Sequence, residues 1–151
     1  MTMSSSVLRW NLGLVLAAIV LAVLPARAAA GEAKFEAILV WGTNDDKSPD
    51  PKHKPVSESM AKRLKDFKWT HYFEVARNEI KVGKEEKKVQ MSKDCVVVIK
   101  SLDDDHFEVS LVGKGKVVGT IKQKIQKDRC LVTGGNASNS TGWFVVIKRI
   151  E

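Results

Sequence analysis

The chain has 151 residues, 44% of them hydrophobic and 28% charged, with 25 Lys and Arg against 18 Asp and Glu for a formal charge of +7. That length and balance exclude a multidomain chain and fit one folded domain. No period marks an internal repeat, and after residue 30 no segment is apolar enough to span a bilayer.

Residues 1–30 read as a secretory signal peptide. Arg9 supplies the positive start, Leu12 to Leu24 are apolar or small throughout, and Pro25 breaks the run. Ala26-Arg27-Ala28 and Ala28-Ala29-Ala30 both offer small-x-small cleavage sites. An uncleaved anchor is the competing reading, but the apolar run falls short of the roughly 20 residues a span requires. A lipid anchor needs a cysteine at the cleavage point, and the two cysteines are Cys95 and Cys130. The expectation is export to the periplasm or the extracellular space, without a stable membrane span. Residues 31–151 then form a single β-rich domain, large enough to bury about two-thirds of its unfolded surface and fold without staples. Cleavage removes two arginines and no acid, so 23 basic side chains face 18 acidic ones, a charge of +5. Such a surface favours an anionic polymer, an envelope or extracellular protein, or a lipid surface as neighbour, although it is ordinary for a soluble domain.

Phe35 to Thr43 is a strand whose two faces both become apolar, as in a central strand covered on both sides. Gly42 is expected to stop it. Residues 44–55 carry Pro49, Pro51 and Pro55 and read as loop without ladder pairing. Ser57 suits an N-cap, and Val56, Met60, Leu64 and Phe67 make an apolar stripe, which predicts one amphipathic helix near residues 57–67. Everything after it is β. Trp69, His71, Phe73 and Val75 are expected on one face of a strand that continues through Ile80 and Val82. Further strands are expected over 88–91, 95–102, 106–112, 117–125, 130–133 and 143–150, with glycines giving the turn at 113–116 its positive φ. Val117, Ile121 and Ile125 should face one way and Thr120, Lys122 and Lys124 the other. Short strands at this spacing predict a mainly β fold, α+β at the margin: an antiparallel β-sandwich or open barrel with the helix capping one end or face.

Two cysteines in an exported chain invite a Cys95–Cys130 disulfide. In a simple meander the two would start at opposite ends of the sheet, beyond the roughly 7 Å limit between bridged Cα atoms. A crossover between sheets could bring them together, and two free thiols are the alternative.

His53, His71 and His106 stand in separate contexts without HExxH or CxxC spacing, so no metal or cofactor site is expected. The acids at 45–50 and 103–105 lack EF-hand spacing and read as turn formers. No G-x-S-x-G elbow occurs and neither cysteine has an activating neighbour, so no catalytic residue is assigned. Two features remain as candidate binding sites. Lys116, Lys122 and Lys124 mark a basic strand that either meets a polyanion or guards a sheet edge. Without interleaved rings, and in an exported chain, the stripe argues against nucleic acid. The second is the loop from Gly134 to Gly142 with Trp143 behind it, where Asn136 and Asn139 each open an N-x-S/T sequon. The leading expectation is a small exported, non-catalytic domain that binds an anionic envelope or extracellular partner. An inhibitor or accessory subunit of an exported enzyme, using that loop as a plug, is the first alternative. A small secreted hydrolase is the second, and needs His71 or His106 to meet carboxylates in a pocket.

Overall fold

The computed structural model describes residues 31–137 and 140–151, and the expected signal peptide over 1–30 and the sequon residue Asn139 lie outside the described residues. Among the described residues, nine strands form two antiparallel sheets, with one helix. The first sheet has the order β2-β3-β1-β9-β8 and the second β4-β5-β6-β7. The strands are β1 (Ala33–Thr43), β2 (Lys54–Pro55), β3 (His71–Val82), β4 (Lys87–Ser92), β5 (Cys95–Ser101), β6 (His106–Gly113), β7 (Lys116–Lys124), β8 (Cys130–Asn136) and β9 (Gly142–Arg149). The chain leaves the first sheet after β3, builds the second as a meander, and returns for β8 and β9.

β1 lies between β3 and β9, and alternation along it feeds two cores. Phe35, Ala37 and Leu39 face the second sheet, where they meet Val97, Ile99 and Phe107. The Phe35 and Phe107 rings pack edge to face with centroids 4.8 Å apart, a geometry worth about 0.5–1.5 kcal/mol beyond the area it buries. Ile38 and Val40 face the opposite way, towards α1 (Glu58–Leu64). The expectation of a strand covered on both sides therefore holds, and the helix covers a face: the layers are helix, sheet, sheet. Among the described residues, the buried apolar side chains of both cores fall between Ala33 and Ile147.

Ser57 caps α1 by accepting the Met60 N–H at 3.3 Å. Leu64 is fully buried against the first sheet, and the Tyr72 hydroxyl donates to its carbonyl at 2.9 Å. The helix ends at Leu64, so Phe67 lies beyond it, packed on Phe144 with centroids 4.6 Å apart.

Five expectations are corrected by backbone detail. Pro55 does pair, because β2 is an edge strand that needs no donor on its outer side. β1 runs past Gly42 to Thr43, since Gly42 and its partner Gly142 form the surface on which the Trp69 ring rests. Trp69 precedes β3 and packs on the helix side with Tyr72, whereas Val75 packs into the inter-sheet core beside a bulge opposite Leu39/Val40. β8 extends to Asn136, because Gly134 and Gly135 pair with Phe144 and Trp143. A bulge at Val118 reverses the side that Val117 faces: it pairs with Val112 and is 67% exposed instead of sharing the inward face of Ile121.

Cys95 lies in the inter-sheet core and Cys130 against the helix-side core, so the first sheet stands between two free thiols.

Candidate functional site

The two sheets part at one end, where the turns β4–β5 and β6–β7 face the far ends of β1, β8 and β9. A cleft of about 630 Å³ opens there, within the size range of small-molecule sites. Leu39 and Val75 line its depth together with Cys95, while Trp41 and Trp143, direct partners on adjacent strands, form its wall on the first sheet. Polar side chains line it as well: Asp94 and Lys114 from the two turns, His53 from the 44–55 segment and Asn136 from the end of β8.

Local sequence explains the lip. Lys114 and Gly115 take φ of 50° and 76°, the left-handed pair that a tight hairpin requires. The Lys114 N–H donates to the Asp94 carbonyl at 2.8 Å, which ties the two turns together. Gly113 leaves room for Val118, because a Cβ there would come within 2.9 Å of the valine side chain. The bulge can thus bring Val118 to the cleft although the residue remains 58% exposed.

Of the six candidate binding residues, Asn136 and Trp143 line this cleft, and Asn139 lies outside the described residues. None of the three lysines lines the cleft: Lys116 opens the edge strand β7 beside the bordering turn, and Lys122 and Lys124 lie further along it. Lys122 pairs with Glu108 at 3.2 Å and Lys124 with Asp105 at 3.7 Å, so part of the stripe's charge is neutralised locally. Across β6, Glu108 also stands opposite Lys100. The residues missed from sequence, Leu39, Trp41, Val75 and Val118, come from three strands. The one signal they carried was a tryptophan at the end of β1.

Burial raises the Cys95 pKa, which keeps the thiol at the cleft protonated and poorly nucleophilic. His71 and His106 do not line the cleft; the His106 ring bonds Asp103 at 2.9 Å at the opposite end of the sandwich. His53 does line it. Its Nδ1 shares a 2.6 Å hydrogen bond with Ser48 Oγ, while the Asp50 carboxylate stands 3.8 Å from Nε2, too far for a hydrogen bond. Asp103 and Asp50 shape their own turns, while Asp105 also reaches Arg149 at 2.8 Å and Lys124 at 3.7 Å. Asp103 accepts the N–H groups of Asp105 at 3.0 Å and His106 at 2.8 Å, and Asp50 accepts that of Lys52 at 2.9 Å. Among the described residues no three His, Cys, Asp or Glu side chains converge as metal ligands, and no helix is long and apolar enough to cross a membrane.

Compared with known protein families, curated proteins and solved structures, the chain finds no match.

Proposed function

We propose that the protein is a small exported, non-catalytic binding module that engages an anionic envelope or extracellular partner at the open end of its sandwich. The observation that carries this reading is the cleft itself: apolar depth, a paired Trp41 and Trp143 on adjacent strands, and a polar rim drawn from turns, the 44–55 segment and the end of β8. The turns bordering it and the first residue of β7 hold Lys93, Lys114 and Lys116 against Asp94 as the one acid, which supports an anionic partner. The protonated Cys95 and the placement of His71 and His106 away from the cleft favour binding over catalysis. A plug-like inhibitor loop has less support, because Gly134 to Asn136 belong to β8 and Gly142 to β9, which shortens the expected loop.

Two measurements test the reading. The protein recovered from the exported fraction should begin near Gly31 by intact mass, whereas recovery of the uncut chain contradicts export by cleavage. Residues 31–151 should be retained on an immobilised anionic polymer in a salt-sensitive manner, and the double reversal K93E/K116E, beside the cleft, should release them. Unchanged retention overturns the placement of the partner at the open end.

A further inference from the structure

We infer that the cleft binds a single-chain fatty acid, with its acyl chain between the sheets and its carboxylate at Lys114. The inference rests on reading the open end as a binding site and adds the ligand's chemical class.

The chemistry of the walls selects the chain. Deep positions are supplied by Leu39, Val75 and Cys95, with the Trp41 and Trp143 rings beside them. A sugar or peptide placed there would leave hydroxyl or amide groups without partners, at a desolvation cost that an alkyl chain avoids. The volume of about 630 Å³ suits one ligand of drug-like size. Val118 adds an apolar surface at the mouth, and its exposure in the absence of a ligand is the cost that a bound chain would relieve.

The rim selects the head group. Lys114 is a lining residue, held in place by the hydrogen bond from its N–H to the Asp94 carbonyl at 2.8 Å. Lys93 directly precedes the lining residue Asp94, and Lys116, the first residue of β7, lies two residues after Lys114. The Asp94 carboxylate offsets one of these charges and leaves the lip net positive. Asn136 on the opposite lip supplies an amide N–H₂ donor. An anionic head outside an apolar slot matches this division of polarity, and a neutral head would forgo the lysine.

The placement of the tryptophans provides a local readout. Trp41 and Trp143 line the cleft, whereas Trp69 lies on the helix side of the same sheet. Residues 31–151 titrated with 11-bromoundecanoic acid should show saturable quenching of Trp41 and Trp143. The W41F/W143F variant, which reports Trp69 alone, should stay bright. Unbrominated acids of increasing length should displace the probe with affinity rising about fourfold per methylene until the cleft is filled. Val118→Glu, at an exposed edge position, should abolish quenching without unfolding the domain, as checked by its melting curve. Lys114→Asn, which keeps a residue tolerant of positive φ, should weaken the acid by up to about fivefold, as for an exposed ion pair, and leave the methyl ester unchanged. Absent quenching, equal quenching of Trp69, or indifference to Val118→Glu overturns the inference. If quenching is absent while polymer retention persists and depends on the lysines, only the fatty-acid inference fails. If quenching is present and retention absent, the anionic-polymer partner fails and the acyl site stands.

Discussion

Trp69 stands just before β3, yet its position is dictated by two residues far away in the chain. Gly42 and Gly142 are direct partners on β1 and β9, and together they leave a bare patch on the helix side of the first sheet. The indole lies across it, with its Nε1 donating to the Ser140 carbonyl at 3.2 Å and its ring edge-on to Phe144 at 5.4 Å. A Cβ at Gly142 would come within 2.5–2.7 Å of three atoms of that ring. Gly142→Ala should therefore cost about 1–3 kcal/mol through overpacking, read as a lowered urea midpoint. In a Trp69→Phe background the smaller ring frees the space and the penalty should shrink. Equal penalties in both backgrounds would show that the glycine serves its backbone and not the indole.

At the scale of elements, the helix is short and depends on its ends. Ser57 satisfies one orphan N–H, Glu58 lies in the first turn, and Lys62 with Arg63 in the last, in the sense the helix dipole favours. So short a helix is not stable alone; the sheet holds it through Leu64 and the Tyr72 hydroxyl. Ser57→Ala should cost about 1 kcal/mol in chemical denaturation and Ser57→Asp almost nothing, whereas equal losses would refute the cap. The cap and the apolar stripe were both legible in the sequence, as was the alternation of β1, β5 and β6, because periodicity is a local property. The bulges at Val75 and Val118 were not, since an extra residue leaves no periodic trace until its partner strand is known. The pair Gly134-Gly135 read as loop because glycine usually marks a turn. Here Gly134 lies in a strand so close to β9 that a Cβ would reach the Trp143 carbonyl oxygen. Trp143 and Asn136 could be singled out by their unusual setting. The cleft they border could not, because Leu39, Val75 and Cys95 meet only when two sheets separated in sequence are stacked.

For the whole molecule, the two ends of the sandwich are built differently: one opens into the cleft, and the other is tied across the sheets. At the end away from the cleft, Arg149 of the first sheet reaches the second. Its Nη1 donates to Asp105 Oδ1 at 2.8 Å, the Ile125 carbonyl at 3.1 Å and the Asp104 carbonyl at 3.3 Å, and its guanidinium lies 5.5 Å from the centre of the Phe107 ring. The turn that presents Asp104 and Asp105 is itself shaped by Asp103. That carboxylate is held down to about 2, first by the Asp105 N–H and then by the ring and N–H of His106. A group depressed in the folded state stabilises the fold at pH above its ordinary value of 3.8 and loses that contribution as pH falls through about 2. Asp103→Asn keeps a carbonyl oxygen for the turn but removes the charge, so it isolates the electrostatic part. The melting temperature of the wild type should exceed that of Asp103→Asn by a constant margin between pH 5 and pH 4. The margin should narrow below that and vanish only below pH 2, because the other carboxylates titrate alike in both proteins. Protection factors of the amides at residues 105 and 106 should fall over the same interval. A margin that persists unchanged at pH 2 would mean that the turn is held by its backbone shape alone and that the Asp103 charge contributes nothing to closing that end.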